Sequence, residues 1–223
     1  MKKGRKKKSR PRVRFLAAAL KGALVLGLAI AVLYWDRPDP VAVWREEIAE
    51  KVGARARKQW GALEAVEGTA DLGPPVRITV HHSGGGVFSE RTERSASLAI
   101  KAIQKTHMEG KGWDDIGYHY IIDPAGRVWE GRHLNRIGAH AGSRKLNTGN
   151  IGLLLLGNFD LQEPPPEQLA RLGFLLDKLQ ELFGVASTEI HTHNAVRAME
   201  GLGATACPGR HVSEWMRERR NKK

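Results

Sequence analysis

A run of apolar residues at positions 151–156, interrupted only by Gly152, constrains the fold more than any other feature of this sequence. Its length suits a β-strand, and a strand that is apolar at successive positions must be covered on both faces. Strand patterns and helix patterns are mixed along the surrounding chain. The sequence therefore predicts an α/β fold, with a mixed central β-sheet flanked by helices.

Three further strands are predicted from alternation and from turn residues. At positions 77–81, Ile78 and Val80 alternate with polar residues, which is typical of a strand with one buried face. Positions 118–122 and 127–130 flank the turn sequence Asp-Pro-Ala-Gly, so we expect them to form a hairpin.

Helices are predicted from apolar spacing and from the residues at their ends. One helix follows Ser95 as a possible N-cap and ends near Gly110. A second helix starts after the prolines at 164–166 and ends before Gly184. A last short helix includes Trp215 and Met216.

The N-terminal region has the pattern of a membrane signal anchor. Residues 15–35 are apolar except for Lys21, and their length suffices to cross a hydrocarbon core of about 30 Å. The basic residues before them favour a cytoplasmic N-terminus, so a single-pass membrane protein with its domain on the periplasmic, extracytoplasmic side is expected. The alternative is a signal peptide cleaved after Ala29-Ile30-Ala31, which would give a secreted protein.

These features divide the chain into a basic cytoplasmic tail (1–14), a transmembrane anchor (15–35), a linker with a stalk helix (36–73), the domain (74–218) and a basic tail (219–223). The formal net charge is +12, and nine of the positive charges precede residue 15, so the remainder is only mildly basic. We therefore expect no nucleic-acid partner, and we expect a monomer.

Residue types that bind metals concentrate in three places. His81 and His82 end the first predicted strand, His191 and His193 lie near one another, and Cys207 is the single cysteine of the chain. A catalytic zinc site needs three protein ligands and one position for water. Two imidazoles and one thiolate would meet that need, whereas an isolated cysteine in an exported domain cannot form an intramolecular disulfide.

The order of these motifs resembles that of N-acetylmuramoyl-L-alanine amidases of the phage-lysozyme and peptidoglycan-recognition type. The resemblance spans about residues 77–215 and depends on the whole ordered set. Its members are Val80-His81-His82-Ser83, Gly117-Tyr118-His119-Tyr120, Gly138-Ala139-His140-Ala141-Gly142, Asn150-Ile151-Gly152, Gly157-Asn158-Phe159 and Thr205-Ala206-Cys207-Pro208-Gly209.

The resemblance implies a set of zinc ligands in a cleft at one edge of the sheet. Those ligands are His81, His193 and Cys207, with His191 as a competitor for the second position. Residues 194–206 separate the second histidine from the cysteine by more than is usual in the family, and 199–204 look like an inserted loop.

The resemblance also implies roles for four other residues. Tyr118 and Thr205 would be catalytic, the first facing the water and the second donating to the developing oxyanion. His140 and Asn150 would contact substrate. Two structural alternatives remain, since Tyr118 could be an ordinary strand residue and His140 an ordinary residue of a glycine-rich turn.

The implied activity is zinc-dependent hydrolysis of the amide bond between N-acetylmuramic acid and the L-alanine of the peptidoglycan stem peptide. Peptidoglycan or its fragments would be the partner and Zn²⁺ the cofactor. Three alternatives remain: a non-catalytic module that binds peptidoglycan, a zinc hydrolase acting on another amide, and a structural protein of the envelope.

Overall fold

The structure is a computed structural model, which describes residues 50–66 and 68–222. The predicted basic tail at 1–14 and the predicted anchor at 15–35 lie outside these residues. Within the described part of the chain, no helix combines the length and the apolar character that crossing a membrane requires.

The described residues form one five-stranded mixed sheet, in the order β3-β2-β4-β1-β5. Strand β4 is parallel to both β1 and β2, β1 is parallel to β5, and β2 with β3 forms the antiparallel hairpin. The prediction of a mixed central sheet is confirmed. The strands are β1 (Arg77–His82), β2 (Tyr120–Ile122), β3 (Val128–Glu130), β4 (Asn150–Leu155) and β5 (Ile190–Thr192).

Helices cover the sheet, and their ends follow the predicted signals with one correction. Helix α1 is capped by Thr92, whose Oγ1 accepts the backbone N–H of Ser95, so the predicted Ser95 cap is wrong. A π-helical turn extends α1 to Gly110, and Gly184 ends α3 in the left-handed region at φ 66°. The helices are α1 (Glu93–Lys105), α2 (Arg144–Asn147), α3 (Pro166–Phe183), α4 (His193–Ala198) and α5 (Arg210–Asn221).

The core has two layers because β4 is covered on both faces. Ile151, Leu153 and Leu155 pack on the same side as α3 and α5, while Leu154 packs on the other side with α1. Every residue of β4 is buried. The apolar run at 151–156 therefore has the environment that its composition requires.

Residues 50–66 and 68–73 are part of the folded domain, which differs from the predicted linker. Val52, Trp60 and Leu72 are each at most 3% exposed. The backbone N–H of Arg55 bonds the carbonyl of Val128, beside the hairpin. These contacts are long-range in sequence, so the local pattern gave no signal of them, and the domain starts before position 74.

Helix α5 also extends beyond the predicted C-terminal boundary at 218. Arg219 donates to the carbonyl of Gly173 and to Asp177, and Arg220 donates to the carbonyl of Ile190. Positions 219–221 thus belong to a helix that packs against α3 and the sheet, although their basic composition suggested a tail.

Candidate metal centre

The parallel pairing of β1 with β5 brings two histidine segments to the same edge of the sheet. His81 lies near the C-terminal end of β1, and His193 follows directly after β5 as the first residue of α4. Thr192 caps α4 by accepting the N–H of Ala195, which fixes the position at which the chain leaves the sheet. Because parallel strands end at a common edge, the two histidines meet there.

Cys207 approaches these histidines from the loop before α5. Its Sγ lies 3.6 Å from Nδ1 of His81 and accepts the backbone N–H of His82 at 3.4 Å. The rings of His81 and His193 have centroids 4.4 Å apart. Ligand atoms of His81, His193 and Cys207 all lie within 4.8 Å of one another, which is compatible with one shared metal ion.

His191 lies outside this group. His191 is in the short strand β5, and its Nε2 lies 3.6 Å from a carboxylate oxygen of Glu189. Across residues 50–66 and 68–222, His81, His193 and Cys207 form the metal-binding group that the geometry allows. The fold brings His193, and not His191, to the other two residues, because His193 lies just beyond the end of β5.

The donor set suits zinc, and its histidine side chains differ in how their nitrogens are engaged. Nε2 of His193 is buried, and no hydrogen-bond partner for it exists within the described residues. Nε2 of His191 is also buried without a hydrogen-bond partner in that part of the chain, so position rather than the missing partner distinguishes His193 as the residue of the group. Imidazole and thiolate are ligand types that zinc prefers, and catalytic zinc sites have three protein ligands and one position for water.

Burial sets the protonation of these side chains in the metal-free protein. It holds the pKa of His81 well below its ordinary value and lowers the pKa of His193 to about 4, so both imidazoles are neutral with lone pairs available. Burial raises the pKa of the Cys207 thiol to about 12. A bound cation would oppose that effect, because a thiol that coordinates a metal is deprotonated.

Tyr118 lies beside the cluster, with its ring centroid 5.1 Å from that of His81. It precedes β2, so it is not the strand residue of the alternative interpretation. Burial raises the pKa of its phenol, which therefore remains a hydrogen-bond donor across the physiological range. Its position agrees with the role that the resemblance implied.

Thr205 shapes the loop that carries the cysteine. Its Oγ1 accepts the backbone N–H of Cys207 at 3.3 Å, while its own N–H bonds the side chain of Asn194. Since the hydroxyl oxygen serves as the acceptor in this turn, the hydroxyl proton stays available for a further acceptor.

His140 and Asn150, which we expected to contact substrate, lie behind the site. They are 6% and 0% exposed. Nδ1 of His140 is 3.1 Å from Nε2 of His81, and its Nε2 is 3.1 Å from the carbonyl oxygen of Asn150. The Asn150 side chain is engaged by Thr79 and by the carbonyl of Leu146. Neither side chain has a free polar atom facing the cleft, so the structure does not support direct substrate contact.

The sequence interpretation missed the support of Tyr118 by His107. Nδ1 of His107 accepts the N–H of Gly117, and its ring lies between those of Tyr118 and Trp113, at centroid distances of 5.7 and 4.6 Å. Burial lowers the pKa of His107 to about 4. A single histidine in an amphipathic helix carries no sequence signal of such a role.

Residues 199–204, which we expected to be an inserted loop, pack against the segment that carries His140. Glu200 bonds Ser143 and pairs with Lys145 at the start of α2. Leu202 packs against the buried residues Ala141 and Leu146. The long interval before Cys207 is thus a folded element that contacts the glycine-rich loop.

Comparison with known proteins gives a consistent family. Residues 71–210 match the family described as N-acetylmuramoyl-L-alanine amidase. Peptidoglycan-recognition protein SC1a of Drosophila melanogaster is 31% identical over 172 residues, which cover 77% of this chain and 88% of that protein.

Solved structures of peptidoglycan recognition proteins and of amidases resemble the domain. One is the ectodomain complex of the peptidoglycan recognition proteins LCa and LCx bound to tracheal cytotoxin, at 27% identity and a TM-score of 0.63, covering 73% of this chain and 93% of that one. Another is an N-acetylmuramoyl-L-alanine amidase from Clostridium intestinale, at 26% identity and a TM-score of 0.57, covering 71% and 93%.

Proposed function

This chain belongs to the N-acetylmuramoyl-L-alanine amidase family, and on that premise we propose that it is a zinc-dependent amidase. The bond cleaved is the amide between the lactyl group of N-acetylmuramic acid and the L-alanine of the peptidoglycan stem peptide. The observation that carries this proposal is the convergence of His81, His193 and Cys207. His193 is distinguished from His191 by its position, because only His193 has a ring nitrogen within 4.8 Å of the ligand atoms of the other two residues.

These three residues would hold the metal. When bound, zinc supplies Lewis acidity, which polarises a carbonyl and lowers the pKa of water towards about 7. With that chemistry available, the reaction needs no serine or cysteine nucleophile. Cys207 is then a ligand, which accounts for the one thiol of the chain.

Tyr118 and Thr205 would act on different reacting groups. The Tyr118 phenol stays protonated, so it can orient water by hydrogen bonding and assist proton transfer to the departing amine of L-alanine. The Thr205 hydroxyl, which accepts from the N–H of Cys207, keeps its proton to donate to the carbonyl oxygen as negative charge develops. A neutral hydroxyl gives less stabilisation than a charged group, so its contribution should be the smaller of the two.

The second candidate function is recognition of peptidoglycan without hydrolysis. It is favoured by relatives that are named for recognition, including a complex whose bound ligand is tracheal cytotoxin. Binding alone requires neither a thiol packed against two imidazoles nor an unpartnered buried nitrogen. The cluster is therefore better explained by catalysis.

Product analysis separates the two functions. The purified full-length protein is incubated with cell-wall fragments, and the soluble products are examined for stem peptides with a new amino-terminal L-alanine. Hydrolysis should stop on chelation and return with added zinc. Cys207→Ser should bind fragments without cutting them, whereas His191→Ala, the matched control outside the cluster, should retain activity. Release of sugars or of internal peptides instead would contradict the proposal.

The cellular location is a separate proposal that rests on the sequence of residues 15–35. An anchor there would hold the domain outside the cytoplasmic membrane, where intact wall lies. Fractionation of cells expressing the protein, with protease added to spheroplasts, tests it. The domain should be membrane-bound and digestible, while recovery in the soluble external fraction would favour the cleaved signal.

A further inference from the structure

A chain of hydrogen bonds runs from the interior of the sheet to the candidate metal centre. The carbonyl oxygen of Asn150 lies 3.1 Å from Nε2 of His140, and Nδ1 of His140 lies 3.1 Å from Nε2 of His81. The remaining nitrogen of His81, Nδ1, faces Cys207. Each imidazole thus has one nitrogen turned towards the interior and one turned towards the metal-binding side.

The direction of these hydrogen bonds follows from the first member. A carbonyl oxygen can only accept, so the proton of the His140 ring must be on Nε2. The His140 ring is buried, and a neutral ring carries one proton, so its Nδ1 has a lone pair turned towards Nε2 of His81. Nδ1 of His140 is then an acceptor, and Nε2 of His81 must donate to it. One proton per neutral ring leaves Nδ1 of His81 bare and directed at the cluster.

The fold makes room for His140 at two glycines. A Cβ atom added at Gly138 or at Gly152 would lie 2.5 Å from Cδ2 of the His140 ring. Gly152 is in the central strand β4, where an apolar side chain would otherwise pack. His140 is further fixed through its backbone N–H, which bonds Oδ1 of Asn147 at 3.0 Å. The close approach at Gly138 and Gly152 and the hydrogen bond to Asn147 therefore hold the ring in one orientation.

We propose that His140 is a positioning residue, which holds His81 as the Nε2-protonated tautomer so that Nδ1 is preset for zinc. The role rests on the metal site proposed above and adds a residue that touches neither metal nor substrate. Ligating histidines usually donate their second N–H to a carbonyl or carboxylate, and loss of such a partner typically weakens metal binding 10- to 100-fold. Here the acceptor for His81 is a second imidazole, His140, which itself donates to the backbone carbonyl of Asn150.

The first test uses the metal-free wild-type protein. Nitrogen-15 NMR of the histidine side chains distinguishes a protonated ring nitrogen from a bare one. We expect His81 to carry its proton on Nε2 and His140 to carry its proton on Nε2. A proton on Nδ1 of His81 would overturn the proposal, whatever the activity of the enzyme.

The second test measures zinc affinity by competition with a chelator. His140→Leu removes the relay and should weaken zinc binding 10- to 100-fold. His140→Gln can accept from His81 and donate to Asn150, so it should restore most of the affinity. Wild-type affinity in the leucine variant, or equal weakness in both variants, would contradict the relay.

A matched control separates this role from general destabilisation. Gln168 is also a fully buried polar side chain with backbone partners, since its Nε2 donates to the carbonyls of Ile122 and Leu156. Its partners include neither His81 nor His140, so Gln168→Leu should lower stability but leave the His81 tautomer and the zinc affinity unchanged. If wild type holds the expected tautomer yet binds no zinc, the proposed function fails while the relay stands.

Discussion

Removal of the Arg57 side chain should strongly destabilise the domain, because it leaves a buried carboxylate without its ionic partner. Nη1 and Nη2 of Arg57 donate to the two carboxylate oxygens of Asp115 at 2.8 and 3.2 Å. The two side chains are 11% and 2% exposed. Breaking a buried pair from one side costs about 3–5 kcal/mol. Gln104 and the N–H of Ile116 still bond Asp115, so we expect the lower end, about 3 kcal/mol, for Arg57→Ala.

Urea unfolding followed by tryptophan fluorescence measures this cost, with zinc removed so that all variants share one reference state. At an m-value of about 2 kcal/mol per molar, the midpoint should fall by about 1.5 M. The control is Arg77→Ala, whose pair with Glu189 is 22% and 39% exposed and should contribute at most about 1 kcal/mol. Equal losses in the two variants would refute the claim that the segment before residue 74 is anchored through a buried ion pair.

Three further predictions concern the site. His193→Ala should abolish stoichiometric zinc binding while His191→Ala keeps it, as metal analysis would show. Tyr118→Phe should lower kcat by about 100-fold with zinc content unchanged, as assays of wall hydrolysis would show. The pKa of His107 is lowered to about 4 when folded, so the unfolded chain binds more protons below pH 6.5. The contribution of His107 to the stability of the metal-free protein should therefore fall by up to about 1.4 kcal/mol per pH unit from 6.5 to 4. Other buried histidines such as His81 and His193 add to the total fall, and urea unfolding at each pH should show a smaller total fall in His107→Gln.

The sheet and the long helices were predictable because their signals are local. The apolar run at 151–156 and the end of α3 at Gly184 each depend on residues within a few positions. The contacts of Trp60 were not predictable in this way. Its Nε1 donates to the carbonyl of Glu130, 70 positions away, and nothing near Trp60 in sequence indicates that partner.

The residue types of the site were predictable from the sequence. Which residues face the cleft and which lie behind the ligands was not. The resemblance supplied His81, His193 and Cys207, which the fold brings together. It also suggested His140 as a substrate contact, although the ring lies behind His81. Whether a histidine faces the cleft or supports a ligand depends on the side of the sheet edge to which its loop returns, and that is set by long-range packing.

X-ray absorption at the zinc edge of the purified protein tests the central claim most directly, because it reports the ligands around the metal itself. The account predicts about one zinc per chain, with one sulfur near 2.3 Å and two imidazole nitrogens near 2.0–2.1 Å. Loss of the sulfur shell in Cys207→Ser would assign that distance to the cysteine. A zinc shell without sulfur in the wild-type protein, or a protein that retains no zinc, would contradict the account.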